Sequence, residues 1–240
     1  MNIYNFFYKL AMAEEGGFGI WYEYVVKYRI FKKYLNKKKV LIFGLPEKYS
    51  LGLDTLLFTN KSKVHVLDNR KKILTEYKKF ANKFKKKVKI IHSKNLKSFK
   101  TKEKYDLVVS TEVIQNDASL FSSLKKLAKT IIIFVPNKRC YAHPYISKLN
   151  SMSLKELEEL GGEKNLKLIE SGYVDCPLWP AGACLPKSED NEEKKEHFYI
   201  NLAKKILTEI TPLLTKFDKF YPSPWKEINS HMIYCIFENE

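Results

Sequence analysis

Five short apolar runs, at residues 40–43, 64–67, 88–91, 107–109 and 131–135, recur along the first half of the chain. Val and Ile dominate them, as suits strands buried on both faces of a sheet. The intervening segments 53–58, 73–84 and 120–128 place apolar residues at helical spacing, as in Leu120, Leu124 and Leu127. Strand and helix alternating in this way demand right-handed crossovers and a parallel sheet covered by helices on both sides. The fold class is therefore α/β, a doubly wound sheet.

After the fifth run the rhythm changes. In "SLKELEELGG", Ser153 and Glu156 form a capping box and Gly161 predicts a left-handed stop. A strand-like stretch follows at 166–174, but the last one, "HMIYCIF", comes only at 231–237. The intervening segment is too long for an ordinary connection and predicts a lid or binding wall. The organisation expected is an aromatic helical cap at 1–36, a core at 37–174, an insertion at 175–229 and a final core strand at 230–240.

With 240 residues, 45% of them hydrophobic, the chain can bury one sizeable core. No apolar run approaches the ~18 residues of a membrane span, and "MNIYNFFYKLAMAEEGG" has no basic stretch before its apolar part, so a cytoplasmic protein with no membrane association is expected. Cys140, Cys176, Cys184 and Cys235 are scattered, which predicts reduced, mostly buried thiols and no metal site. The net charge of +16 invites a polyanionic partner such as RNA. Forty of the 43 basic residues are lysine, however, and bidentate phosphate recognition favours arginine. Along 69–87 the lysines oppose an apolar stripe, as on a solvated helix face. A surface built for solubility is the preferred reading, with RNA binding kept as an alternative.

Against that framework the order of segments resembles the class I S-adenosylmethionine-dependent methyltransferases, particularly the small-molecule and quinone-type branch. "VLIFG" looks like the first strand and its glycine, "VHVLDN" like the second strand with an acid at its tip, and "YDLVVSTEVIQND" like the fourth strand and its loop. "IIIFVPNKRCYAHP" looks like the fifth strand with a Pro-Asn turn, and "SHMIYCIFENE" suits an antiparallel last strand. The resemblance implies a seven-stranded, Rossmann-like methyltransferase fold with S-adenosylmethionine as cofactor and a small-molecule methyl acceptor. The loop departs from the family's acid-x-G-x-G-x-G pattern, with Ile42, Pro46 and Lys48 at three of its positions. A cofactor without pyrophosphate needs only one close backbone approach there, and Glu47 can supply a negative charge for an ammonium group.

Ligands of open parallel sheets bind at the carboxyl ends of the strands. Gly44, followed by Leu45, Pro46 and Glu47, permits a close approach or merely turns the chain. Asp68, beside Asn69, can accept both ribose hydroxyls or cap the helix that starts near Lys71. Asn95 and Leu96 stand where an adenine edge is expected, although Asn is equally a turn residue. Ser110 and Thr111 border the fourth loop, and Glu112 either orients substrate or faces water. Asp68→Ala is expected to abolish cofactor binding with little loss of stability.

The acceptor side is expected to involve Trp21, Tyr22, Glu112, Asn137, Tyr141 and Trp179. Trp21, Tyr24, Tyr28 and Phe31 recur at helical spacing and predict a packed stripe, with Tyr22 and Glu23 lying off it. His143 and His231 are candidate bases, with a core or capping role the more ordinary one. Two other classes stay open: an RNA methyltransferase, against which "STEV" speaks because it lacks an N-P-P-Y type of loop, and a scaffold that has lost cofactor binding, for which the altered loop speaks.

Overall fold

The computed structural model describes residues 3–13, 17–46, 56–60, 62–141, 150–174, 210, 213 and 215–239. Seven strands form one sheet: β1 (Lys39–Phe43), β2 (Lys63–Asp68), β3 (Lys89–His92), β4 (Tyr105–Thr111), β5 (Ala128–Pro136), β6 (Lys167–Val174) and β7 (Met232–Glu238). Their order is β3-β2-β1-β4-β5-β7-β6. Strands β1 to β5 pair in parallel, and β7 lies antiparallel between β5 and β6. The sheet therefore reverses its winding between β1 and β4, where an open parallel sheet leaves a crevice.

Alternation along each strand divides the interior into two layers. Val40, Ile42, Val66, Val109 and Phe134 face one cluster, and Leu41, Phe43, Leu67, Val108 and Ile133 face the other. Helices α1 (Ile3–Ala13), α2 (Gly17–Phe31) and α3 (Lys71–Lys83) cover the first face. Helices α4 (Phe121–Leu127) and α5 (Leu154–Glu163) cover the second. Leu74, Tyr77 and Ala81 are the buried positions of α3, while its lysines stay in water.

Two local expectations need correction. The glycine pair does not stop α5: the helix runs through Gly161 and Gly162 to Glu163, and Asn165 takes the left-handed conformation at φ 53°. Gly161 is required for packing instead, because a Cβ there would stand 2.1 Å from the buried ring of Phe237. The capping box is present, with Glu156 N–H donating to Ser153 Oγ at 3.2 Å and Ser153 N–H to Glu156 Oε2 at 2.7 Å.

Helix α2 is the second. Tyr22 and Glu23 do not lie off a buried stripe: every residue from Trp21 to Lys27 is buried. The sheet takes one side of α2 and α1 packs on it as well, with Tyr8 edge-on to Trp21 at 5.9 Å. Glu23 and Lys27 resolve their burial as an i,i+4 ion pair of 2.8 Å, and the Lys27 ammonium sits 4.7 Å over the Phe134 ring. Charges removed from water are tolerated when paired in this way.

Only the last part of the segment 175–229 is described in continuity, as a short turn at Phe217–Phe220 and helix α6 (Ser223–Asn229). The first half of the helix expected at 53–58 lies outside the described residues, and Phe58–Asn60 form a short turn. Cys140 and Cys235 are buried free thiols, whereas Cys176 and Cys184 fall outside the described residues. Among the described residues, no helix is long and apolar enough to cross a membrane.

Candidate functional site

The carboxyl ends of β1, β2, β3 and β4 surround a cleft of about 440 Å³. Gly44 ends β1 with φ at 75°, a conformation that glycine adopts at little cost. Its N–H donates to Leu67 O at 2.7 Å, which holds the turn against the tip of β2. The next amide, Leu45 N–H, donates to Asp68 Oδ2 at 2.8 Å. Residues 44 and 68, far apart in sequence, thus meet at one rim.

Asp68 has no exposed surface, and its carboxylate is saturated by donors. Beyond Leu45, Arg70 donates its backbone N–H to Oδ1 at 2.7 Å, its Nε to Oδ1 at 3.0 Å and its Nη2 to Oδ2 at 2.8 Å. The same Nη2 reaches Leu45 O, so one guanidinium clasps the exits of β1 and β2 together. A helix-capping role for Asp68 is not what the structure has: the N-cap of α3 is Arg70, with no side-chain cap bond. The forked guanidinium suits a two-oxygen acceptor in a way that lysine does not.

The opposite wall comes from the exits of β3 and β4. Asn95 forms a turn, accepting Lys97 N–H on Oδ1 at 2.8 Å, and also borders the cleft beside buried Leu96. Glu112 leaves β4 in the left-handed region at φ 58° and donates its N–H to Phe134 O at 2.9 Å. A non-glycine residue held there is strained, and such strain gathers at functional sites. Val113 lies over Gly44, so that a Cβ at Gly44 would come within 2.5 Å of Val113 Cγ2. Lys97 Nζ meets Asp117 Oδ2 at 2.7 Å, bridging the exits of β3 and β4.

The cleft therefore collects Gly44, Asp68, Asn69, Asn95, Leu96 and Glu112 from the residues singled out in the sequence. Leu45 and Pro46 are buried behind it, and Glu47 lies outside the described residues. Ser110 and Thr111 are buried too, with Ser110 Oγ donating to Phe43 O at 3.1 Å and tying β4 to β1. Trp21 and Tyr22 belong to the apolar layer of the first face, whereas Leu96 and Leu120 of the cleft belong to the second. Asn137 is fully buried; its Nδ2 donates to Glu227 O at 2.7 Å and Ser230 O at 2.8 Å, so it anchors the turn into β7. Tyr141 is exposed. His231 is half-buried at the start of β7, and Trp179 and His143 lie outside the described residues.

Arg70, Lys94, Lys97, Val113, Asn116 and Asp117 also line the cleft without having been singled out as site residues. A signal for Arg70 exists in the sequence. It is one of three arginines in a chain of forty lysines, and it stands two residues after the strand-tip acid, the spacing of an Asx turn. Replacing the strained Glu112 with glycine is expected to raise stability by about 1 kcal/mol, the usual cost of a left-handed side chain. Chemical denaturation measures that change.

No protein-family model matches the chain, and no curated protein matches it by sequence. Solved structures do match it in fold. One is a coclaurine N-methyltransferase bound to N-methylheliamine and SAH, at 12% identity and a TM-score of 0.53, covering 89% of this chain and 70% of that one. A putative sarcosine dimethylglycine methyltransferase from Galdieria sulphuraria matches at 12% identity and a TM-score of 0.52, over 91% of this chain and 84% of that one. A SAM-dependent methyltransferase from Aquifex aeolicus matches at 16% identity and a TM-score of 0.50, over 61% of this chain and 82% of that one. The chain has the seven-stranded, Rossmann-like fold of these methyltransferases.

Proposed function

We propose that this protein is a class I methyltransferase that uses S-adenosylmethionine (SAM) and acts on a small-molecule acceptor. The observation that carries this reading is the junction of Gly44, Leu45 and Asp68 at the edge of a cleft built from four strand exits. Its volume of about 440 Å³ lies within the usual range for small-ligand sites, and Asp68, Asn69 and Asn95 on its lining are polar groups of the kind an adenosine-bearing group would need. Asp68, with Asn69, would take the ribose once Arg70 yields its place on the carboxylate. Asn95 and Leu96 would border the adenine. Gly44 with Leu45, Pro46 and Glu47 would hold the amino-acid end, with Ser110 and Thr111 supporting the floor and Glu112 facing the acceptor.

When bound, SAM supplies a sulfonium methyl group to a nucleophilic N, O, S or C atom. The chain's own task is to hold the two reactants close and in line, which is worth up to ~7 to 11 kcal/mol without a protein nucleophile. Tyr141 and Trp179 are assigned to the acceptor side, and the buried Trp21, Tyr22 and Asn137 to the framework behind it. A small acceptor is preferred to RNA because the fourth loop reads "STEV".

A second reading has specific support. Arg70 occupies both oxygens of Asp68, and Val113 covers the bare side of Gly44, as in a scaffold that no longer binds cofactor. Calorimetric titration with SAM and with S-adenosylhomocysteine separates the two. Saturable heat at one site per chain supports the enzyme; silence from a sample with an intact thermal transition supports the scaffold.

A further inference from the structure

The loops that enter parallel strands all emerge at the pole opposite the cleft, and here each of them is lysine-rich. The entries to β1 through β6 read "KKKV" (37–40), "SKV" (62–64), "KFKKKVK" (83–89), "KTKEKY" (100–105), "KKLAK" (125–129) and "EKNLK" (163–167), seventeen lysines against two acids, with Asp106 of β4 and Glu238 of the antiparallel β7 at the same pole. The exits are mixed in sign, with Asp68, Glu112 and Asp117 among Arg70, Lys94 and Lys97. Topology thus gathers along one pole a positive charge that in the sequence looks evenly spread.

The pole also has shape. Lys39, Lys63, Lys87 and Lys89 surround a cleft of about 580 Å³ with His65 and Glu103. Glu103 is committed internally: its carboxylate pairs with Lys39 and with Lys89 Nζ at 3.2 Å, while His65 Nδ1 stands 3.0 Å from the Tyr105 hydroxyl. Hydrogen bonds from Lys39 and Lys89 hold Glu103 down at about 2, so it stays ionised and fixes those two ammonium groups on the cleft. Asp106 is engaged as well, its Oδ2 accepting Lys38 N–H at 2.9 Å and Lys39 N–H at 3.0 Å. Lys63 and Lys87 complete the ring.

We infer that this lysine pole is a docking surface for a nucleic-acid backbone, read through its phosphates without regard to base sequence. Lysines supply point charges for phosphate rather than the forks that read base edges, and counter-ion release drives such contacts. An anionic membrane is the poorer partner. Interfacial binding needs apolar side chains set among the basic ones, and none of the exposed large apolar side chains among the described residues lines this cleft. Tyr141 and Ile228 lie at the turn between β5 and β7 at the other pole, and Leu168 and Ile169 lie on the edge strand β6. The inference does not depend on methyl transfer, since the pole and the SAM cleft lie at opposite ends of the strands.

Fluorescence anisotropy of the full chain with a labelled RNA duplex, repeated across a salt series, tests it. Neutralising about four phosphates at a slope of about −0.9 each predicts an affinity loss on the order of a hundredfold between roughly 50 and 200 mM salt. Lys63→Glu with Lys87→Glu is expected to weaken binding at least about tenfold and to lower the slope by about two. Lys138→Glu with Lys155→Glu makes the same charge change at the opposite pole and is expected to leave affinity within about threefold, with thermal melting confirming that both pairs fold. Equal losses in the two pairs, absence of RNA binding at the lowest salt, or tighter binding to phosphatidylserine vesicles than to RNA would each overturn the inference.

Discussion

Asp68→Ala is expected to lower the stability of the fold by about 3 kcal/mol, because it strips a buried carboxylate from Leu45 N–H and from Arg70 and leaves those donors without their acceptor. The sequence alone suggests little loss, since a strand-tip acid reaching for a ligand stands apart from the core. Here the same side chain is also the staple between β1 and β2. For a domain of this size about 3 kcal/mol corresponds to roughly 6 to 12 °C in melting temperature. The variant is expected to lose SAM affinity by at least about a hundredfold as well, since hydrogen bonds to an ionised acceptor are worth about 1.5 to 3 kcal/mol each. Asp68→Asn separates the two effects. It keeps the volume and one acceptor oxygen, so it recovers part of the stability while the affinity stays low.

Gly44→Ala is the second change with a large expected effect. A methyl group there meets both a backbone at φ 75° and Val113 Cγ2 at 2.5 Å. The left-handed conformation costs an alanine about 1 to 2 kcal/mol, and overpacking typically adds about 1 to 3, so a loss of about 2 to 5 kcal/mol is expected by urea denaturation. Adding Val113→Ala removes the clash but not the backbone strain. The double variant is expected to recover about half of the loss, and full recovery would show that Gly44 is needed for space alone.

The sheet was legible in the sequence because burial on both faces leaves a trace: runs such as 131–135 carry no polar position, as suits a strand covered on both sides. The tip acid was legible for a related reason, since topology alone brings residues 44 and 68 to one rim. What periodicity cannot report is how many neighbours an element has. Helix α2 shows the limit: its spacing marks the face toward the sheet, but α1 packs on it too, and Tyr22 and Glu23 are buried as a result. Gly161 shows another, because a glycine near a helix end reads as a stop when the cause is the ring of Phe237 across the layer. Arg70 combines both lessons. Its rarity was visible, but its grip on Leu45 and Asp68 exists only once two loops meet in space.

The same grip makes the central claim testable at the level of single atoms. A crystal of the full chain grown with S-adenosylhomocysteine should show the ribose hydroxyls on the Asp68 carboxylate, the adenine beside Asn95 and Leu96, and the Arg70 guanidinium moved off at least one Asp68 oxygen. A well-ordered crystal in which Arg70 keeps both oxygens, Val113 still covers Gly44 and the product lies elsewhere or is absent would contradict the account.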